Sequence, residues 1–377
     1  MKVFKMKKAR KLRVGVIFGG RSGEYEISLM SARSVLNVLD PRRYEVTQIG
    51  ITQDGAWLTG ENVLDALQND QTEELHTAAL LPDPTRSGIN TIKETEQGYL
   101  LELLTKLDVV FPVLHGTYGE DGTIQGLLEM AGIAYVGAGV LGSSVGMDKG
   151  VFQAVMIAYH IPVVKTMVVL RIELEENLDE VISMAEKLAP YPLFTKPANL
   201  GSSVGVSKCQ SRSDLLEGLM DAARYDRRIL IQRGVNGREI EVSVLGNDNP
   251  QASIPGEIIP SREYYSYKAK YIDNASELLI PAPIPEETAE LVRQFAMKAF
   301  KAIDCQGMAR VDFLLDKDNG ELYLNELNTI PGFTSISMYP KLWEACGLPY
   351  PKLVDRLIEL ALERKADSQK TLHRYMG

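Results

Sequence analysis

Apolar and polar positions alternate in blocks that predict an α/β chain. Residues 13–18 form a short apolar strand, followed by Gly19-Gly20-Arg21-Ser22-Gly23-Glu24. From Ile27 a helical spacing runs through Leu29, Met30, Val35, Leu36 and Leu39 until Asp40-Pro41 ends it, and Val46 to Thr52 reads as the next strand. Strand, glycine turn, helix and strand in that order predict a unit with parallel strands. Residues 60–106 are more polar and fit a helix and a hairpin. Leu107 to Leu114 reads as a buried strand that delivers His115-Gly116-Thr117-Tyr118-Gly119-Glu120-Asp121-Gly122 at its C-terminal end, where open α/β sheets carry ligand groups. A helix over Thr123–Ala131 and the segment Tyr135-Val136-Gly137 close this first unit.

The rest predicts a second pattern. Asp148-Lys149 opens a helix to about Tyr159, Pro162 starts a strand, and Glu173 to Leu188 is a helix. Pro192 to Pro197 is a strand carrying Lys196, followed by the loop Asn199 to Val206. Ser211 to Tyr225 reads as a helix and Arg228 to Arg233 as a strand. Long β segments and a polar loop, Ser261 to Asn274, precede a helix over Pro285–Ile303, a hairpin, and a closing helix over Pro351–Lys365.

The hairpin carries the sharpest chemical signal. Along Met308 to Leu315, Val311, Phe313 and Leu315 share one face while Arg310 and Asp312 share the other. Glu326 and Asn328 lie two apart on the returning strand. Asp, Glu and Asn are hard oxygen ligands, the set that holds Mg²⁺ between carboxylates and phosphates. The alternative is an exposed hairpin with ordinary polar residues. It fits poorly, because Arg310 and Asp312 interrupt core-like strands. Register decides whether the metal face exists. A two-residue Asn319-Gly320 turn would pair Asp318 with Glu321 and take Glu326 away from Asp312. A three-residue loop, Asp318-Asn319-Gly320 with a left-handed glycine, pairs Lys317 with Glu321 and sets Asp312 opposite Glu326.

Composition narrows the function classes. With 377 residues, 45% of them hydrophobic and 24% charged, the chain suits a soluble globular protein of two or three domains. A net charge of −9 argues against general nucleic-acid binding. The first thirteen residues are basic, as a basic arm, a frayed terminus or an expression remnant would be. No run reaches membrane-spanning length, and the apolar run Val14–Phe18 is too short for a signal peptide. Cys209, Cys305 and Cys346 show no metal spacing and fit a reducing, cytoplasmic setting.

Other candidates depend more on context. Gly201-Ser202-Ser203-Val204-Gly205 suits a loop that closes on phosphates with its N–H groups, or a plain surface turn. Lys196 on a strand edge is a point charge suited to phosphate oxygens. Lys149 is a second such cation or an exposed lysine. Gln232-Arg233 ends a strand, as residues at an adenine edge would, and Glu239 could accept from ribose hydroxyls. Glu24 suits an ammonium group, or is a helix N-terminal acid satisfied by the dipole. His115 is a site residue or a packed, capping one. Four tyrosines and two lysines between Tyr264 and Tyr271 look like a lid, or a loop shielding a sheet edge.

Taken together, Gly19 to Glu24, His115-Gly116 with Gly119 to Gly122, Met147-Asp148-Lys149, Lys196-Pro197, Gly201 to Gly205, Arg310-Val311-Asp312, Asn325 to Thr329 and Pro331 to Ser335 closely resemble the D-alanine–D-alanine ligases of the ATP-grasp superfamily. The resemblance spans about residues 12–365. It implies a three-domain ATP-grasp architecture, α/β overall and α+β in the ATP-binding part. An N-terminal Rossmann-like domain would cover 12–138, a central subdomain 139–236, and a C-terminal domain 237–366. By the family pattern Lys149, Lys196, Ser202 and Ser203 hold phosphates, Gln232, Arg233 and Val235 contact adenine, and Glu239 contacts ribose. Asp312, Glu326 and Asn328 would ligate two Mg²⁺ ions, with Mn²⁺ a possible substitute. Glu24 would take the first D-alanine's ammonium in a set with Ser202 and Tyr271. Lys270 would lie near the γ-phosphate and Ser337 near the second substrate's carboxylate, with His115 and Met338 also at the substrate. Arg310 and the Gly332 N–H resemble oxyanion stabilisers. Gln232 departs from the family, where many relatives carry Glu.

The implied reaction phosphorylates one D-alanine with ATP and joins it to a second, for peptidoglycan precursors. A D-alanine–D-lactate or D-alanine–D-serine ligase is the near alternative, and Lys270-Tyr271 favours D-alanine. The resemblance further implies a cytoplasmic homodimer acting on small molecules, with neither nucleic acid nor membrane as partner. A nicotinamide oxidoreductase fails because the glycine turn after the first strand, Gly19 to Glu24, carries no full G-x-G-x-x-G and the hairpin would go unexplained. A non-catalytic nucleotide-binding regulator would not need both Arg310 and Glu24.

Overall fold

A computed structural model describes residues 10–259, 277–334 and 336–372. Three sheets organise it. The first has eight strands, β1 (Leu12–Gly19), β2 (Tyr44–Ile51), β3 (Trp57–Thr59), β4 (His76–Leu80), β5 (Ile89–Thr95), β6 (Gly98–Thr105), β7 (Val109–Val113) and β8 (Ala134–Tyr135), in spatial order β6-β5-β4-β3-β2-β1-β7-β8. Strands β2, β1, β7 and β8 run parallel, as the strand–turn–helix pattern predicts, and the β3–β6 end is antiparallel. β1 is apolar because both its faces are buried. Val14, Val16 and Phe18 join a core with α1 (Tyr25–Val38), while Ile17 joins the opposite one with α3 (Thr123–Met130). Between them in sequence lies α2 (Val63–Gln68).

Helices α4 (Val140–Met147) and α5 (Lys149–Ala158) lead to the second sheet. It comprises β9 (Thr166–Leu170), β10 (Leu193–Pro197), β11 (Ser207–Cys209) and β12 (Arg228–Arg233), ordered β11-β10-β12-β9. Helices α6 (Arg171–Leu188) and α7 (Arg212–Tyr225) cover one face with Val181, Ile182, Leu215 and Leu219. Two sequence expectations need correction here. The first strand begins at Thr166 rather than Pro162, because the Pro162 carbonyl instead accepts from the Leu324 N–H, 2.8 Å away, in the third sheet. Helix α4 went unpredicted.

The third sheet holds β13 (Gly237–Gly246), β14 (Gln251–Ala252), β15 (Gly256–Ile259), β16 (Glu277–Leu279), β17 (Gly307–Asp316) and β18 (Leu322–Asn328). Helix α8 (Glu286–Ala302) packs Val292, Ala296 and Phe300 against Val242, Val311 and Phe313. After β18, a loop enters α9 (Met338–Ala345) and then α10 (Tyr350–Ser368). Leu353, Leu357 and Ile358 of α10 join the core of the first sheet. The closing helix thus packs onto the first sheet, and the loop between β18 and α9 reaches the segment after β7, where Ile330 bonds His115 and Glu120.

The β17–β18 hairpin brings Asp312 opposite Glu326 and Arg310 opposite Asn328, as the metal face requires. The expected turn frame does not hold. Asp316, not Lys317, faces Glu321: its N–H donates to the Glu321 carbonyl (2.9 Å), and its carbonyl accepts from Gly320 N–H (2.9 Å). Gly320 is left-handed (φ +72°), as expected. The register then shifts between Asp312 and Phe313, where Asn325 bulges out of the ladder.

Candidate active site

Two adjoining cavities sit where the three sheets meet. One, about 640 Å³ and open to solvent, is lined by Glu24, His115, Glu120, Lys149, Gly201, Ser202, Arg310, Glu326, Asn328 and Gly332, among others. The other, about 850 Å³, lies between the second and third sheets and is lined by Lys149, Lys196, Ser202, Ser203, Glu239, Glu241, Asp312 and Glu326, among others. Lys149, Gly201, Ser202 and Glu326 border both.

The third sheet supplies an acidic wall. Glu241 faces Asp312 across β13 and β17. Arg310, 8% exposed, gives Nε and Nη2 to the two Asp312 oxygens at 2.7 and 2.6 Å. Its Nε also lies 3.0 Å from Glu241 Oε2. Asn328 Nδ2 donates to Asp312 Oδ2 at 3.0 Å. No cluster of three His, Cys, Asp or Glu residues suited to a metal occurs among the described residues. Asp312, Glu326 and Asn328 instead offer two carboxylates and an amide oxygen. That incomplete oxygen set fits a magnesium ion whose remaining positions go to phosphates and water, rather than an all-protein cage.

The second sheet and its entry helix supply cations. Asp148 caps α5 by accepting from the Gly150 and Val151 N–H groups, and pairs with Arg228. This fixes Lys149, whose Nζ donates to the Leu200 carbonyl (2.7 Å) and lies 3.9 Å from Glu326. Lys196 donates to Gln232 Oε1 at 3.0 Å, and Gln232 Nε2 donates to Thr166 at 3.0 Å. Burial, with the nearby Lys149 charge, lowers the Lys196 pKa to about 8, partly offset by Glu326. Arg233 stacks over the Tyr323 ring (5.2 Å), and Val235 follows on the way into β13. Ser202 and Ser203 are both left-handed, at φ 52° and 58°, which is uncommon for residues with a Cβ.

At the end of the first sheet, Glu24 makes no side-chain cap on α1. It accepts a hydrogen bond from Ser202 Oγ. Gly116 and Gly201 flank it closely: a Cβ on either would lie 2.6 or 2.8 Å from Glu24 Oε2. His115 lines the cavity, but both ring nitrogens are engaged, Nδ1 with the Ile330 carbonyl (2.9 Å) and Nε2 with Ser31 Oγ (3.1 Å). Burial lowers its pKa, against the pull of Glu24 and the Ile330 carbonyl, which favours the neutral ring. Ser337 Oγ accepts from the Thr334 N–H at 3.0 Å, close to Gly332. Met338 packs with Ile258 and Leu342, and its side chain lines neither cavity. Lys270, Tyr271 and the rest of the expected lid lie outside the described residues.

Three residues at the site carried no role in the sequence analysis: Ser31, Glu120 and Glu241. Glu241 left a signal, since it interrupts the apolar stretch Ile240 to Val244 and lies two residues from Glu239. Glu120 stood within a singled-out motif. Its pKa rises to about 8 through burial and the Glu24 charge, against the pull of two N–H donors and Arg310.

Known proteins resemble this chain over nearly its whole length. The family model described as D-ala D-ala ligase N-terminus matches residues 13–138, and D-ala D-ala ligase C-terminus matches residues 155–359. A D-alanine–D-alanine ligase of Heliobacterium modesticaldum is 50% identical, covering 95% of this chain and 96% of the relative. One from Thermoanaerobacter sp. (strain X514) is 51% identical, covering 94% and 97%. Among solved structures, the D-alanine-D-alanine ligase from Coxiella burnetii superposes with a TM-score of 0.81 at 36% identity, covering 96% of this chain and 97% of that one. VanG D-Ala:D-Ser ligase from Enterococcus faecalis also gives 0.81, at 34% identity, covering 93% and 100%.

Proposed function

The chain belongs to the D-alanine–D-alanine ligase family, and from that premise we propose the following assignment of its reaction to its residues. It is an ATP-dependent ligase of the ATP-grasp class that joins two D-alanine molecules, releasing ADP and phosphate. The observation that carries the assignment is the meeting of Arg310, Asp312, Glu326 and Asn328 with Glu24, Ser202 and Gly332 around adjoining cavities.

A carboxylate is a poor acyl donor, so ATP first phosphorylates the first D-alanine. Lys149 and Lys196, with the N–H groups of the Gly201–Gly205 loop, hold the phosphates. Gln232, Arg233 and Val235 take the adenine and Glu239 the ribose. Asp312, Glu326 and Asn328 hold the metal, two Mg²⁺ ions in our assignment with Mn²⁺ able to replace them. When bound, the metal neutralises charge on the transferring phosphoryl group. Glu24, fixed by Ser202, receives the ammonium of the first D-alanine. The second D-alanine's amine attacks the acyl phosphate. Arg310 and the Gly332 N–H then face the developing oxyanion, and Ser337 takes the second carboxylate. Lys270 and Tyr271 complete the site as a lid that excludes water.

The domain limits 12–138, 139–236 and 237–366 form part of the same assignment, supported by the three sheets. So does a homodimer. The edge strand β6 exposes Tyr99, Leu101 and Leu103, an apolar surface that a second copy would cover. Among the described residues no helix is long and apolar enough to cross a membrane. We place the enzyme in the cytoplasm, where ATP and reduced cysteines belong.

The test is phosphate release from Mg-ATP with and without D-alanine, with products separated. The expected result is release only with D-alanine, and one dipeptide per ADP. Because a D-Ala:D-Ser ligase superposes equally well, D-serine and D-lactate are included as second substrates. Predominant mixed product would move the assignment to that branch, and release without any amino acid would end it.

A further inference from the structure

The loop that carries Gly332 is held from the other side of the cavity by three side chains of the first sheet and its helices. Glu120 accepts from the Ile330 N–H with Oε1 (2.8 Å) and from the Gly116 N–H with Oε2 (2.9 Å). His115 Nδ1 lies 2.9 Å from the Ile330 carbonyl. Ser31 Oγ lies 3.1 Å from His115 Nε2 and accepts from the Phe333 N–H at 3.2 Å. All three side chains are buried.

These bonds have a single consistent direction. A carbonyl only accepts, so Nδ1 carries the ring proton. In the neutral ring Nε2 then accepts, and Ser31 must be its donor. That leaves the Ser31 oxygen to accept from Phe333. Both hydrogen-bonding groups of Ile330 and the N–H of Phe333 are therefore fixed, and Gly332 lies between them. On the other side of Phe333, its carbonyl accepts from Tyr350 Oη at 3.2 Å.

We infer that His115 and Glu120 are positioning residues that clamp the Ile330 peptide and so aim the Gly332 segment into the cavity for the chemical step. The inference rests on the assignment of the Gly332 N–H to the oxyanion. Both nitrogens of His115 are spent on the clamp, so its ring is not expected to be a principal substrate contact. The arrangement also makes the site depend on docking. Ser31, His115 and Glu120 come from the first sheet's unit, whereas Gly332 follows the third sheet, so the donor is aimed only when the two units are packed together. The geometry matters because a displacement of about 1 Å at a reacting centre costs roughly a hundredfold in rate.

Two histidine substitutions separate the bonds. In His115→Asn the amide nitrogen falls near the place of Nδ1 and can keep the Ile330 bond. In His115→Gln it falls near Nε2 and loses that bond. Glu120→Gln keeps one acceptor oxygen and turns an NH₂ toward an N–H donor. The measurements are kcat, KM for ATP and D-alanine, and deuterium uptake of the peptide spanning 329–334, on full-length enzyme whose melting temperature is recorded. We expect His115→Gln and Glu120→Gln to lower kcat by about ten- to a hundredfold. Both KM values should stay within about twofold, uptake at 329–334 should rise, and His115→Asn should retain most of the rate. Unchanged uptake in both glutamine variants overturns the clamp. A raised KM for D-alanine with kcat intact, and no rescue by Asn, also overturns it and makes His115 a substrate contact. Increased uptake with unaltered kcat upholds the clamp but removes Gly332 from the chemistry, which is the failure of the assignment above rather than of the clamp.

Discussion

Asp312 faces Glu326 across the β17–β18 ladder because of an extra residue at Asn325, and not because of the turn that closes the hairpin. With Asp316 opposite Glu321, a regular ladder would carry Asn325 to Asp312 and turn Glu326 to the other face. The bulge takes up one residue and restores the pair. If this pair holds magnesium, Glu326→Gln, which keeps shape and removes charge, should lower turnover by at least about a hundredfold, the upper cost of losing even an outer-shell partner of a metal. Melting temperature should stay near that of the parent. Steady-state phosphate release checks this, and a variant within tenfold of the parent would take Glu326 out of the metal site.

The same relationship makes the turn dispensable for chemistry. Gly320 is left-handed at φ +72°, and a Cβ there would meet nothing within 4 Å. Gly320→Ala should therefore cost only backbone strain, about 1–2 kcal/mol. Urea unfolding should show that loss while kcat and KM remain unchanged. A large fall in kcat would mean that the turn, after all, sets the register of the acidic face.

How far the sequence revealed this structure depended on whether the signal was local. Strands buried on both faces, such as β1 and β7, were legible as apolar runs. Ser211 and Asp148 marked helix starts that the structure confirms, each accepting from backbone N–H groups. The pairing of Asp312 with Glu326 was predicted, but from a turn frame that does not form, since nothing in Asn325 itself announces the bulge that restores it. Helix α4 was missed because its glycines and serines have low helix propensity, and packing rather than propensity holds it. Glu120 and Ser31 were missed as site residues because their partners, Ile330 and Phe333, lie 210 and 302 residues away. A hydrogen bond to a distant backbone group leaves no trace in residue type. Placing Lys149, Glu24 and Gly332 at one site needed the family resemblance, since each alone reads as an ordinary residue.

Arg310 is asked to do two things, and its substitutions should separate them. It neutralises Asp312 and Glu241 on the cavity wall, and in our assignment it meets the oxyanion. Arg310→Ala removes both, so kcat should fall by about a hundred- to a thousandfold, as for loss of an oxyanion donor. Stability should fall as well, by roughly 3–5 kcal/mol, because the buried Glu241 and the half-buried Asp312 lose their cation. Arg310→Lys restores a charge without the planar fork, and should recover more stability than rate. Kinetics and denaturant melts on both variants test this. If only KM for ATP rose in either, Arg310 would be a nucleotide contact.

Lys196 and Gln232 predict how nucleotide binding responds to pH. A carboxylate at position 232 would hold the lysine charged. Here the partner of Nζ is a neutral amide oxygen at 3.0 Å, and burial lowers the Lys196 pKa to about 8. An unfolded lysine titrates near 10.4. Between these values the unfolded chain binds more protons than the folded one, so this group's contribution to stability rises with pH from about 8 to about 10. Phosphate binding runs the other way, because it needs the cation. KM for ATP should hold steady below about pH 8 and climb above it, approaching tenfold per pH unit where this one proton is limiting. Gln232→Glu should raise the Lys196 pKa and move that break upward by a unit or more, with kcat at pH 7 little changed. Glu120 also titrates near 8, and the variant distinguishes the two, since Gln232 bonds Lys196 and makes no contact with Glu120. The measurement is KM for ATP from pH 6.5 to 9.5 in both proteins at constant ionic strength. A flat profile in the parent, or a break that Gln232→Glu leaves in place, would show that Lys196 does not govern it.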